Sequence, residues 1–246
     1  MVSGLSNRLP EYKVQNIDWS KNMIDKFNLV ILGPQGSGKG TQAELLAKKY
    51  KMKIIAPGDI ARKELKLNSP LAGKIKKYVD QGALIPNIFI NKLIYNKLKK
   101  SCSGRLIFDG FPRNFNQAKM LEKYTKQLKL KEPIAIYLKI SRQTAIHRIS
   151  ARRVCPKCNL LFYPKSPGYQ KGICPKCRTK IIQRPDDNPK AVKKRLTIYY
   201  EQTEKNIDFY RSKHRLIEID GEPKISLVWK MVLEKLNDYL KKSSPN

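Results

Sequence analysis

The chain is short of several things, and each shortage excludes something. No apolar run is long enough to span a bilayer, and residues 1–27 lack the uninterrupted hydrophobic core of a secretory leader. The same opening segment mixes Arg8, Lys13, Lys21 and Lys26 with Glu11, Asp18 and Asp25, which suits an organellar transit peptide poorly. The expectation is a soluble, cytoplasmic protein carrying a disordered or loosely docked extension over residues 1–26. Low-complexity segments and internal repeats are missing as well. Acidic residues are few: 20 Asp plus Glu stand against 51 Lys plus Arg, a formal charge of +31. Such an excess attracts polyanions, but it does not say which, and a lysine-rich proteome would give the same bias without any function. Nucleoside triphosphates, RNA and anionic membrane surfaces all qualify on charge alone.

What is present is more specific. The apolar run Leu29-Val30-Ile31-Leu32 leads directly into Gly33-Pro34-Gln35-Gly36-Ser37-Gly38-Lys39-Gly40-Thr41. A short, continuously apolar stretch reads as a strand buried on both faces, and the residues after Thr41 have helical spacing, so the glycines fall on a strand-to-helix turn. There the backbone bends tightly and approaches a ligand closely, while the unpaired N–H groups that open the helix point at the same spot. A polyphosphate fits such a cradle, with Lys39 reaching the β- and γ-phosphates and Thr41 supplying a hydroxyl and an N–H. The competing reading is a merely flexible turn, and spacing, lysine and flanking elements together weigh against it. The generic pattern wants Ser or Thr directly after the lysine, whereas here Gly40 intervenes.

The length of 246 residues, 41% of them hydrophobic and 29% charged, suits one α/β domain with inserted subdomains. Strands are expected at 29–32, 54–55, 105–108, 134–138 and 216–219, separated by helical segments and therefore parallel. Helices are expected over 60–67, from Asn68-Ser69-Pro70 to about Val79, over 87–98, as one long stretch over 188–213, and over 225–240, with a turn at 82–86. In a doubly wound sheet ligands collect at the carboxyl ends of the strands, where Gly33 and Asp109 both fall, so the two should face one site.

Of five cysteines, four are spaced Cys155-x2-Cys158 and, after fifteen residues, Cys174-x2-Cys177. Two such knuckles bring four thiolates into a tetrahedron, the arrangement zinc prefers and one that needs no large core. Disulfides do not suit a chain without a secretory signal, and a redox dithiol needs only one pair. Iron is the competing metal. Cys102 stands apart as a small side chain. Residues 155–184 hold seven cationic residues and no Asp or Glu, so even with a metal thiolate centre this segment stays positive. It suits either a cover for a triphosphate or a nucleic-acid ribbon.

From about Phe27 to Tyr239 the chain resembles the adenylate kinase family of nucleoside monophosphate kinases. The resemblance rests on GPQGSGKGT, which includes the Gly40 that breaks the generic pattern, and on Asp109-Gly110-Phe111-Pro112-Arg113 followed by Gln117. It rests also on Arg148 and Arg152, Arg184 with Asp186-Asp187, and Arg195, with residues 155–177 similar to the zinc-bearing form of that family's lid. The resemblance implies a three-layer P-loop NTPase-like fold, with helices on both faces of a five-stranded parallel sheet. It further implies a helical insertion at 58–86 that closes over the monophosphate and a lid at 153–184 that closes over the triphosphate. The reaction implied is reversible, magnesium-dependent transfer of the terminal phosphate of ATP to AMP.

By the same resemblance Lys39, Arg113, Arg148, Arg152, Arg184 and Arg195 surround the transferred group, and Asp109 orients magnesium through its waters. Gly36, Ser37, Gly38, Lys39, Gly40, Thr41, Arg148 and Arg152 hold ATP. Pro57, Arg62, Ile85, Gly110, Arg113, Gln117, Arg184 and Arg195 line the AMP site, with Gln117 reading the adenine edge. Cys155, Cys158, Cys174 and Cys177 hold structural zinc. Pro57 stands where the family usually has Thr, which leaves CMP, UMP or a relaxed acceptor open, and GTP stays open as donor. A monomer is expected by analogy. The rival reading is an RNA-associated zinc-ribbon P-loop protein. Clustered arginines with DGFPR have no role in such a module, and no aromatic stacking platform is evident, so nucleic acid is not the expected partner.

Overall fold

β1 (Asn28–Leu32) is buried along its whole length, because helices cover both faces of the sheet it centres. Leu29 and Ile31 point to one face, into a core with Ala43, Leu45 and Leu46 of α1 (Lys39–Tyr50) and Val228, Trp229, Val232 and Leu236 of α9 (Ile225–Ser243). Val30 and Leu32 point to the other, against Ile90, Ile94 and Leu98 of α4 (Asn87–Lys99), Leu121 of α5 (Phe115–Gln127), and Ile207 and Tyr210 of α8 (Lys205–Arg211). Alternation along a strand thus feeds two cores, which is why the strand reads as uniformly apolar rather than as an apolar-polar alternation. Each fully buried aliphatic side chain contributes about 1.5–3 kcal/mol to that packing.

The computed structural model of the chain describes residues 27–66, 70–80, 85–99, 101, 105–158, 160–184 and 187–243. The extension expected over 1–26, Cys102, the helix start at Asn68-Ser69, residues 82–84 of the expected turn, Asp186 and the side chain of Arg62 lie outside these residues.

The sheet has the order β2-β3-β1-β4-β7, with β2 (Lys53–Ile55), β3 (Leu106–Asp109), β4 (Pro133–Lys139) and β7 (Leu216–Asp220) all parallel to their neighbours. The chain runs from β1 through β2 to β3 on one side, then crosses to β4 and β7 on the other. β1 therefore sits where the order reverses, and the glycine run leaves from its carboxyl end. All five expected strands are present, with ends shifted by about one residue. Between β2 and β3 lies a helical insertion of α2 (Pro57–Lys66) and α3 (Pro70–Asp80). α2 begins at Pro57 rather than near Ile60, with the Ala56 carbonyl accepting from Asp59 N at 2.9 Å and Ile60 N at 3.1 Å. Proline costs nothing at this first position, since its missing N–H has no intrahelical partner to lose.

Between β4 and β7 the chain forms α6 (Arg142–Ala151), then a small antiparallel unit of β5 (Arg153–Val154) and β6 (Leu161–Phe162), then α7 (Pro189–Ile198). Bridges Val154↔Ile182 and Ile173↔Lys180 close this unit on itself. The single helix expected over 188–213 is not continuous: α7 passes into a π-helical turn, Tyr199–Thr203, before α8. There Glu204 N reaches back five residues to the Tyr199 carbonyl at 3.0 Å. Buried positions Val192, Leu196, Tyr199, Thr203, Ile207 and Tyr210 keep steps of three or four, so the apolar period carries no trace of the extra residue.

Asn28 opens β1 from a buried position, donating Nδ2 to the Lys131 carbonyl at 2.6 Å and accepting Leu106 N at Oδ1 at 2.9 Å. It ties the amino ends of β1, β3 and β4 together. Asn28→Ala leaves the buried Leu106 N–H without a partner and is expected to lower stability by about 1–3 kcal/mol in urea unfolding. A change within error would show that this bridge is not needed.

Candidate active site

The loop from Gly33 to Gly38 is built for close approach. A Cβ on Gly33, whose φ is 144°, would lie 2.6 Å from Ser37 Oγ and 2.7 Å from the Leu138 carbonyl. One on Gly36, at φ 84°, would lie 2.9 Å from the Ala145 carbonyl. No side chain fits at either position. α1 starts after Gly38 with no side-chain cap and no acidic residue in its first turn, so its opening N–H groups and positive dipole end face the loop's interior. Ser37 Oγ and Gln35 Oε1 are buried in this loop without hydrogen-bond partners, as suits polar atoms meant for a ligand. A Cβ on Gly40 would meet Asp109 Oδ2 at 3.4 Å, so the first turn of α1 runs beside the carboxylate that ends β3.

Lys39 Nζ donates to the carbonyls of Gly33 and Pro34, both at 2.8 Å. Although the side chain keeps some solvent contact, burial of its ammonium pushes the pKa down to about 7. Asp109 opposes that shift, and the positive charges of Arg113, Arg195 and Arg152 add to it. Residues far apart in sequence, from β3, the loop after it, the residue that ends α6, and α7, thus act on one ammonium. Arg152 grips buried Asp187 bidentately, Nε to Oδ2 at 2.9 Å and a terminal nitrogen to Oδ1 at 2.6 Å, and Arg195 reaches the same Oδ1 at 3.2 Å. One carboxylate holds two guanidinium groups together beside the lysine.

Arg148 is held differently. It donates to the Gly221 carbonyl at 2.9 Å and the Glu222 carbonyl at 2.7 Å, with a long 3.5 Å contact to the Gly36 carbonyl. The Ser141 N–H caps the Glu222 carboxylate at 2.6 Å and holds its pKa below the usual carboxylate range. Arg148 therefore stitches the loop after β7 to the phosphate loop. Arg184 is half-buried on the return from the β5–β6 unit, where its carbonyl accepts Asp187 N at 3.0 Å.

On the β3 side, Asp109 leads into Gly110 at φ 67°, whose carbonyl accepts Arg113 Nε at 2.9 Å. Gln117 is buried: its Oε1 accepts Arg113 N at 2.8 Å and its Nε2 donates to Asn87 Oδ1 at 2.9 Å. Asn114 caps α5 by accepting Gln117 N at 2.9 Å and itself donates to Asn87 Oδ1 at 3.2 Å. One Nε2 hydrogen and a second Oε1 lone pair of Gln117 remain for a ligand. Pro57 is buried at the head of α2, and Ile85 packs partly buried on the α4 core.

Sequence reasoning missed Asn87, Thr203, Asn206 and the 220–222 loop, and did not see that Asp187 is the shared anchor of two arginines. Only for the 220–222 loop was there a signal, since it follows the carboxyl end of a predicted strand.

The four cysteines converge in the β5–β6 unit, with sulfur–sulfur distances of 3.2, 3.6 and 3.7 Å and all four ligand atoms within 4.8 Å. Thiolates at about 2.3 Å from a tetrahedral zinc stand about 3.8 Å apart, whereas a disulfide needs about 2.05 Å, so the donor set fits a metal and not a bond. Among the described residues, Leu160, Phe162 and Ile181 cluster with the cysteines as the unit's small core, and Tyr169 Oη ties it to the Ala151 carbonyl at 2.8 Å.

A parallel sheet with a glycine cradle at its switch point, and with cations from both flanks gathered on the cradle's lysine, defines a P-loop nucleotide-binding protein of the phosphotransferase kind. Residues 31–215 match the family model described as adenylate kinase. Curated adenylate kinases are similar over most of their length. That of Thermoanaerobacter sp. (strain X514) is 36% identical over 214 residues, covering 86% of this chain and 99% of the relative. That of Thermococcus kodakarensis is 38% identical over 215 residues, 87% and 95%. That of Onion yellows phytoplasma is 40% identical over 214 residues, 85% and 97%. The chain belongs to the adenylate kinase family, enzymes that transfer a phosphoryl group to a nucleoside monophosphate. Among the described residues no helix is long and apolar enough to cross a membrane.

Two outcomes follow from this geometry. Stripping metal with a strong chelator should lower the melting temperature by several degrees, with Cys155→Ser doing the same, because the β5–β6 unit has little else to hold it; unchanged melting would remove the metal from its role. The lowered Lys39 value means that the unfolded chain binds more protons between about pH 7 and pH 10.5, so ligand-free stability gains from Lys39 as pH rises through that window. A polyphosphate favours the charged ammonium, so at about pH 8 triphosphate binding should take up more protons in the native protein than in Lys39→Met. Calorimetry in buffers of different ionisation heat checks this; equal uptake would contradict it.

Proposed function

We propose that the protein transfers the terminal phosphate of magnesium-bound ATP to AMP, reversibly yielding two ADP. The observation that carries this is that the charges of Arg113, from the loop after β3, and of Arg152 and Arg195 all reach the buried ammonium of Lys39. A donor site alone has no use for the β3-side arginine; two phosphate tails laid end to end need cations from both sides.

The opening N–H groups of α1 and the loop backbone hold the donor's phosphates, and Lys39 bridges their outer end. Arg113, with Arg62, holds the acceptor's phosphate, and Arg152, Arg184 and Arg195 offset the charge that spreads over the transferred group. No side chain here needs to act as a nucleophile. Asp109, beside the first turn of α1, is the carboxylate that would hold a magnesium ion through its waters, and that ion would supply neutralising charge at the phosphates. The Cys155, Cys158, Cys174 and Cys177 set holds zinc, which stands in for a core in the lid over residues 153–184. Closure of that lid and of residues 58–86 excludes water, the competing acceptor. Gln117 supports adenine as the acceptor base, through the amide hydrogen and lone pair it has left. Monomeric state and a cytoplasmic site of action are carried by family analogy.

The deciding measurement is coupled diphosphate formation with ATP and GTP against the four common monophosphates. AMP with ATP should give the highest kcat/KM, and Lys39→Met should lower it by at least about a thousandfold. A preference for CMP or UMP would trace to Pro57 and overturn the assignment of acceptor; no transfer to any monophosphate would overturn the reaction.

A further inference from the structure

The π-helical turn lies directly behind the acceptor loop. Thr203, its last residue, donates Oγ1 to the Arg113 carbonyl at 2.7 Å. Asn206, one turn on, donates Nδ2 to the Pro112 carbonyl at 3.0 Å. Both side chains are buried, Asn206 completely. Together with Gln117, which takes the Arg113 N–H, they hold the backbone of residues 112–113 from two helices at once. That backbone carries the guanidinium whose charge reaches Lys39.

Asn206 makes little sense as a stabilising residue. Its Oδ1 is buried with no hydrogen-bond partner, and an orphaned amide oxygen costs about as much as the bond made by the other half of the amide gains. What the amide does contribute is a fixed donor under one carbonyl. The π-turn has the same character: it departs from regular helix at the point where Thr203 and Asn206 meet the loop, and such bulges often re-aim side chains at functional sites.

We propose that Thr203 and Asn206 are positioning residues for the acceptor site, setting the backbone from which Arg113 reaches the monophosphate; this rests on the phosphotransfer reading above. The run of α7, π-turn and α8 that bears Thr203 and Asn206 also carries Arg195 on α7, bound to the Asp187 that also holds Arg152. Arg195, at the transferred group, and the groups that hold the Arg113 backbone are thus carried by one run of helices, and the π-turn sets the register between its two ends.

The test is full kinetics of the intact enzyme on both substrates, with thermal unfolding alongside. Asn206→Leu and Thr203→Val each keep the shape and delete one donor. Each is expected to raise acceptor KM by roughly 3–10-fold, the loss of about one hydrogen bond, while donor KM stays within about twofold. Thr203→Ser, which retains the hydroxyl, should restore native acceptor KM. Melting should not track this loss, and Asn206→Leu should melt within a few degrees of the native protein. Equal changes in donor and acceptor KM, unchanged acceptor KM, or Thr203→Ser behaving like Thr203→Val would each overturn the proposal. An absence of transfer in the unmodified enzyme would instead overturn the phosphotransfer reading itself.

Discussion

Positive charges crowded at one end of a sheet repel one another, and the arrangement of this site follows from how that repulsion is contained. Lys39, Arg113, Arg152 and Arg195 act on one small volume, with Asp109 and Asp187 the carboxylates that oppose them. Buried Asp187 ties down two of the guanidinium groups, and Asp109 sits against the first turn of α1. Burial of the ammonium is the main cause of the depressed Lys39 value, and the charges of Arg113, Arg195 and Arg152 add to it.

The scaffold makes that crowding possible. β1 is buried on both faces and centred in the sheet, so the loop leaving it rests on two cores and can hold a backbone shape that admits no side chain at Gly33 or Gly36. The groups that gather round it arrive from the carboxyl ends of the neighbouring strands: Asp109 from β3, Arg148 and Arg152 by way of β4 and α6, and the 220–222 loop from β7. The β5–β6 unit is the exception. It is too small to bury much apolar surface, and four converging thiols do the work of a core there.

How much of this was legible depended on the range of the interaction. The glycine run, the paired cysteine knuckles and the five strands are local patterns, each fixed by residues within a few positions of one another, and they were read with boundaries off by about a residue. The 188–213 segment reads as unbroken helix because its buried positions keep a helical period through Tyr199 and Thr203; the hydrogen bond that reveals the π-turn involves no side chain at all. The motif points Gln117 at a base, and the packed chain adds the Arg113 N–H and Asn87 as partners of its amide, which periodicity does not single out.

Composition and motif alone determined that a glycine turn would stand between a strand and a helix, that four cysteine sulfurs would converge, and that arginines would be available in number. Which arginine meets which carboxylate, why Arg148 grips the 221–222 carbonyls while Arg152 grips Asp187, and what lies behind the acceptor loop were decided only by the packed chain. Backbone conformation and ligand spacing are settled among near neighbours, whereas a charge finds its partner across the sheet, and only the packing of the helices on the strands sets that distance.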